Sequence, residues 1–326
     1  MKTDSYVIQS NVHFPTDYNL LYDSSRKCLD IIQYFLDSYS WIMSWRKLKA
    51  WRRILKNGSR SVGNASRGGG KNKEARLNRS VRLYLLDAQG LSTKLHDTKE
   101  GLPVMNARDI AQIEALEVYL GYLDKHIDLL ERRIIKGETI PHGEKMFSIF
   151  ETYTEWISKG KLHPSVELGK KLLITTDQNN LIVDYQIMDH LSDSGSVGEL
   201  VKRITSKYPE IETWSFDKGF YSKDNKALLM PFVNHLIMPK RGKQNSLERE
   251  YESTKTFKLY KGKHSAVESN INELEHCGLG RCPDKGYVHF KRYIGLGVIA
   301  YNLRRIGKKL IEQDRQINLR CISKAA

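Results

Sequence analysis

The sequence predicts an α/β fold: a mixed five-stranded sheet with flanking helices, opened after its first strand by a large helical insertion. Three observations lead there. The opening run "TDSYVIQSNVHF" is rich in β-branched and aromatic residues and stops at Pro15. Residues 18 to 137 space their apolar side chains at helical intervals. From residue 171 onward, short apolar strands alternate with helical segments.

The first strand is expected from about Thr3 to Val12, with Asp4 on it. Asp17, beyond Pro15, is placed to cap the next helix. That helix runs from Tyr18 to about Ser44, with Leu20, Leu21, Leu29, Ile32, Tyr34 and Phe35 as apolar members. Residues 46 to 82 hold thirteen basic side chains and one acidic one, Glu74, around a glycine- and serine-rich centre that reads as a mobile linker. Helices follow at about 72–87 and 107–136, the second with Ile110, Ile113, Leu116, Leu120, Leu123, Ile127 and Leu130 at turns of 3 and 4. Gly137 ends it. Residues 140 to 171 have no clean period.

Beyond them, "KLLITT", the turn "DQNN" and "LIVDYQIMD" form a hairpin. "SVGELVKRITSKY" is an amphipathic helix, "IETWSFDKGF" and "VNHLIMPKRG" contain strands, and two helices close the chain, one around Glu268 and one from about 288 to 313. Without the insertion this is a three-strand meander followed by strands alternating with helices, the order of an RNase H-like core. The division expected is therefore 1–17 as first strand, 18–137 as basic helical insertion and 138–326 as the rest of the core. In open α/β sheets, function gathers at the carboxyl ends of strands.

A chain of 326 residues with 40% hydrophobic content can bury a substantial core. Lys and Arg outnumber Asp and Glu by 53 to 38, and the resulting charge of +15 favours a polyanionic partner. Four cysteines (Cys28, Cys277, Cys282, Cys321) make no disulfide framework in so long a chain, and no signal peptide precedes them, so a cytoplasmic location is expected. The "CGLGRC" spacing lacks the second cysteine pair of a zinc site, and its glycines are expected to end a helix. "IGLGVIAYNL" is far shorter than the ~20 residues of a bilayer span, so no membrane segment is expected.

The chemistry is expected from carboxylates. Asp217 follows the alternating strand "IETWSF" and precedes Gly219, where glycine permits a sharp turn; the bland alternative is that Asp217 only caps that turn. In "HSAVESNINELEHCGLGRC", Val267, Ile271 and Leu274 share one helical face, and His264, Glu268 and Glu275 border it. Glu268 can then reach over the sheet toward Asp217, whereas Glu275 is better read as a solvated acid paired with a lysine. A third acid should come from the first strand. Asp177 is a rival, but if "KLLITT" opened the sheet the meander would lack a strand, which leaves Asp4. Three carboxylates side by side raise one another's pKa, and divalent cations relieve this. Two Mg²⁺ ions about 3.5–4 Å apart, with Mn²⁺ as substitute, suit in-line phosphoryl displacement on a phosphodiester.

At these residues the chain resembles the DDE transposases of bacterial insertion sequences, within them the ISNCY-type group. The likeness rests on "TDSYVIQSNVHFPTDYNLLYDS", "IPHGEKMFSIFETYTEWISKGK", "VELGKKLLITTDQ", "SFDKGFYSKDN" and "HSAVESNINELEHCGLGRCPDKGYVHFKRYIGLGVIAYNLRRIG", and covers almost the whole chain. It implies an RNase H-like catalytic core that cuts transposon ends and joins them to target DNA. Asp4, Asp217 and Glu268 match the three acids, as catalytic residues and Mg²⁺ ligands, and a homodimer bridges two ends. His264 stands where related transposases often have an arginine near the DNA. Family members usually carry a helical DNA-binding region ahead of the first catalytic strand, and here three residues precede Asp4. The chain thus reads as a truncated or internally started copy whose first strand is liable to fray.

Arg46, Lys47, Lys49, Arg52, Arg53 and Lys56 are the expected phosphate contacts, with Trp45 and Trp51 available for stacking. Two readings compete with an active transposase. One is a non-catalytic DNA-binding remnant, the other an RNase H-like nuclease that joins no strands.

Overall fold

The computed structural model describes residues 1–39, 45, 47–158 and 165–325, the stretch 318–325 by its backbone alone. It has two compact units: Val12–Thr152, and Met1–Asn11 together with Tyr153–Ala326. The helical unit therefore reaches fifteen residues beyond the expected boundary at 137.

That unit contains α1 (Asp17–Ser38), α2 (Leu48–Arg67), α3 (Lys73–Lys99) and α4 (Ala107–Leu130). Thr16, not Asp17, caps α1, its side chain accepting from the Asn19 amide; Asp17 sits in the first turn, where a negative charge suits the helix dipole. Residues 40–44 of the expected first helix lie outside the described residues. Asn106 and Asp109 form a capping box that starts α4, and Gly137, at φ 69°, follows its terminal π turn. Leu21, Leu29, Ile32, Phe35, Leu55, Tyr84, Leu91, Leu116 and Leu123 fill the core between these helices.

The expected mobile linker is largely α2. Its glycines lie within the helix because neighbouring rings pack on bare backbone: a Cβ on Gly58 would stand 2.4 Å from Tyr84 Cδ2, and one on Gly63 would stand 3.3 Å from Tyr18. Only residues 68–72 separate α2 from α3. Packing overrides propensity here.

The second unit is a mixed α/β sheet of six strands rather than five: β1 (Lys2–Gln9), β2 (Glu155–Ser158), β3 (Val166–Thr176), β4 (Ile182–Met188), β5 (Ile211–Phe216) and β6 (Val233–Ile237). β1 runs antiparallel to β3 from Lys2↔Thr176 to Gln9↔Gly169, and parallel to β5 at Lys2↔Ser215 and Thr3↔Phe216. β5 and β6 are parallel. On its other edge β3 pairs first with β2 and then with β4. β2 is four residues long, too short to show a period in the sequence. β1, expected to be liable to fray, is paired with β3 along its whole length, and Tyr6, Val7 and Ile8 are buried.

Alternation along the strands divides the core in two. Tyr6, Ile8, Leu172 and Ile174 pack with Val267 and Leu274 of α8 (Lys255–Leu274) and with Phe290, Ile294 and Val298 of α9 (Tyr287–Ala325). Leu173, Trp214 and Phe216 pack with Val197, Leu200, Val201 and Ile204 of α5 (Asp193–Lys207). Two short helices, α6 (Lys223–Leu229) and α7 (Ser246–Ser253), were not expected. No helix among the described residues is long and apolar enough to cross a membrane.

Candidate active site

The last pair of the β1–β5 ladder is Thr3↔Phe216. One step further stand Asp4 and Asp217, so both acids sit at the same level on neighbouring strands. Asp4 shares its strand face with Tyr6 and Ile8, the side that α8 covers. Asp217 is exposed, and its side chain makes no capping bond to the 3₁₀ turn Lys218–Phe220 that follows. The capping alternative therefore does not hold for this side chain.

Asp4 is half-buried, and burial is the main cause that raises its carboxyl to about 7. The Ser5 amide, 2.7 Å from Oδ1, opposes the rise, while the charges of Asp217, Asp193 and Glu268 add to it. All three acids thus act on one carboxyl. The two expected partners of Asp4 are brought to its neighbourhood, and a fourth acid joins them.

That fourth acid, Asp193, is the first residue of α5, behind the N-cap Ser192. Its Oδ1 accepts from Ser5 Oγ at 2.7 Å and from Lys171 Nζ at 3.1 Å, tying α5 to β1 and β3. Gly219 makes room for it: a Cβ there would meet Asp193 Oδ2 at 3.0 Å. The sequence suggested a turn as the reason for Gly219, but its φ is not positive, and the glycine serves close approach. Locally, Asp193 reads only as a helix-start acid. Its contacts are long-range, and no local pattern announces them.

Glu268 lies on α8 and is exposed. One turn earlier His264 Nδ1 is 2.9 Å from Ser215 Oγ, which locks α8 to β5 two residues before Asp217. Burial lowers the His264 pKa, nearby Lys2 lowers it further, and Asp217 opposes them. The contact that the structure gives His264 is therefore a positioning one, to Ser215. Asp177, the rival first acid, closes the β3–β4 turn by accepting from the Asn179 and Leu181 amides, each at 2.8 Å. Glu275 faces solvent in the π turn that ends α8.

In the helical unit, Lys47, Lys49, Arg53 and Lys56 are exposed, and with Arg60 the last three line one edge of α2. Arg52 does not belong with them. It is held against α1 by Asp30 Oδ1 at 2.5 Å and by the Leu29 carbonyl. Trp45 is no stacking platform either: it is buried, its indole N–H donates to Thr98 Oγ1 at 3.0 Å and Lys94 covers its ring. Trp51 packs against the core of the unit. Arg46 lies outside the described residues.

The three acids that act on Asp4 offer hard carboxylate oxygens, the chemistry that Mg²⁺ or Mn²⁺ prefers. As placed, no three His, Cys, Asp or Glu side chains among the described residues are grouped closely enough to hold a metal ion. Comparison with protein-family models finds no match, and neither curated proteins nor solved structures show significant similarity to the chain.

Proposed function

We propose that the sheet unit is an RNase H-like catalytic core and that the chain is a DDE transposase, cleaving insertion-sequence ends and joining them to target DNA. The strand order supports the fold reading: β4, β3, β1, β5 and β6 lie in the sequence expected of such a core, with β2 as an edge addition. The observation that carries the function is the position of Asp4 and Asp217, each one residue beyond the last β1–β5 pair, with the charges of Asp217 and Glu268 both acting on Asp4. The resemblance of the sequence blocks around Asp217 and Glu268 to insertion-sequence transposases supports the substrate.

In this reading Asp4, Asp217 and Glu268 would hold Mg²⁺, which would supply charge stabilisation for phosphodiester cleavage once the three acids are drawn together. The chain's own residues prepare the site. Ser5 and Asp193 fix the strand that presents Asp4, and Ser215 and His264 fix α8 beside Asp217. The exposed cations of α2 supply sequence-independent phosphate contacts.

A non-catalytic DNA-binding role has one observation in its favour, the spacing of the acids, which gathers no closed set of three ligands. A nicking assay on DNA with Mg²⁺ or Mn²⁺, run beside Asp217→Asn and Glu268→Gln, separates the two. Metal-dependent nicking that both substitutions reduce to background is expected. Nicking untouched by either would defeat the enzyme reading, and cleavage without strand joining would leave a nuclease instead of a transposase.

A further inference from the structure

α8 is tied to the sheet at two points, one on either side of Glu268. The first is the His264–Ser215 contact, four residues before Glu268. The second comes two residues after it, where Nδ2 of the buried Asn270 donates to Asn180 Oδ1 at 3.4 Å, and the same oxygen accepts from Lys2 Nζ at 2.9 Å. Lys2 and Ser215 are register partners on β1 and β5. Each stands two residues before a candidate acid, Asp4 or Asp217, and alternation gives Lys2 and Asp4 the same strand face. Both tethers of α8 therefore end on the rung of the sheet from which the two aspartates follow.

Donor-only neighbours fix the direction of the second tether. An ammonium accepts no hydrogen bond, so the Asn180 atom facing Lys2 is the carbonyl oxygen. Arg305, equally donor-only, bonds Asn270 Oδ1 at 3.0 Å and is itself held by Glu273 at 2.5 Å, which leaves the Asn270 amide nitrogen to reach Asn180. Asn180 acts from the β3–β4 turn. Its φ of 60° is left-handed, its backbone N–H donates to the Asp177 carbonyl, and its own carbonyl accepts from Tyr301 Oη at 3.1 Å. The turn alone asks for a residue that tolerates this φ, and glycine would serve as well. Glycine would make the turn and leave β1 and α8 unbridged.

We infer that Asn180 is a positioning residue of the candidate site: its side-chain oxygen joins β1 to α8 and holds the helix that carries Glu268 against the strands that present Asp4 and Asp217. The inference rests on the reading of those acids as Mg²⁺ ligands. As placed, the three do not close around an ion. A bound cation must draw them together, and a helix anchored on both sides of Glu268 has less freedom to lose in that step. With the bridge cut, α8 keeps one anchor, and the ordering it then requires opposes metal binding.

Two substitutions separate the bridge from the turn. Asn180→Gly keeps the left-handed φ and deletes the side chain, whereas Asn180→Asp keeps an oxygen that accepts from both Lys2 and Asn270. Mn²⁺ uptake is followed by electron paramagnetic resonance of the free ion, and α8 by hydrogen exchange in the metal-free protein. Wild type is expected to take up Mn²⁺ in a manner that Asp217→Asn abolishes. Asn180→Gly should keep its circular dichroism, bind Mn²⁺ about tenfold more weakly and exchange the amides of residues 268–272 faster, while Asn180→Asp matches wild type in both measurements. Binding or exchange in Asn180→Gly equal to wild type would overturn the inference alone, as would a loss in Asn180→Asp as large as in Asn180→Gly. A wild type without that uptake would defeat the metal reading, and the inference with it.

Discussion

Asp4 and Asp217 follow the last paired residues of two parallel strands, so the pairing of β1 with β5 sets two carboxylates next to each other. Burial first, and then the neighbouring carboxylates, raise its carboxyl from 3.8 to about 7, so Asp4 holds its proton through mildly acidic pH where an ordinary aspartate has lost it. Between those values the native state binds more protons than the unfolded chain. Stability contributed by this residue is therefore full below pH 3.8 and lost as pH climbs toward 7. Asp4→Asn should flatten that decline, as read by chemical denaturation across the range. If Asp4 is a cation ligand, Mg²⁺ should raise the melting temperature of wild type at pH 8 and leave Asp4→Asn unmoved. A wild type indifferent to Mg²⁺ would count against the metal site.

Gly219→Ala tests the approach of Asp193. The added Cβ lies 3.0 Å from Asp193 Oδ2, the free end of a side chain that can shift. The expected stability loss is under about 1 kcal/mol, since the backbone φ suits any residue. The Lys171–Asp193 ion pair should nevertheless be displaced, visible as a changed Lys171 ammonium signal by NMR. An unchanged signal would show that Gly219 does not serve that contact.

His126, on α4, is buried with neither ring nitrogen partnered among the described residues. Burial lowers its pKa to about 4, so the native protein keeps it neutral while the unfolded chain protonates below about 6.5. Stability is full above 6.5 and falls as pH drops toward 4, by about 3 kcal/mol in all. His126→Leu should remove this acid-side slope and stabilise the protein, because two unsatisfied nitrogens leave the core. A slope that persists in the variant would place its origin elsewhere.

Gly58→Ala sets two opposed effects against each other. Alanine favours a helix by about 1 kcal/mol over glycine, but its Cβ would stand 2.4 Å from the Tyr84 ring, which is fully buried and bonded through its hydroxyl to the Tyr18 carbonyl. Overpacking of that kind costs about 1–3 kcal/mol and should win. Gly121→Ala on α4, with open space around it, should instead stabilise. Equal behaviour of the two in urea melts would contradict the packing assigned to α2.

What is local was readable from residues alone. Helical spacing predicted α4, β-branched runs predicted β1 and β5, and the strand-end position of Asp217 followed from "IETWSF" and the residues after it. The place of β1 was reachable too, because the meander requires a strand upstream of "KLLITT".

The tertiary structure decided what depends on contacts between distant segments. Asp193 looks like any helix-start acid until β1 and β3 bring Ser5 and Lys171 to it. Arg52 and Trp45 look like DNA contacts until Asp30 of α1 pairs with the first and Thr98 of α3 accepts from the buried second, and the glycines of α2 look like a linker until Tyr84 and Tyr18 lie against them. Periodicity and propensity act over a few residues and are written in the chain. Whether a polar side chain meets solvent, a strand or another charge is fixed only when the sheet and helices close around it.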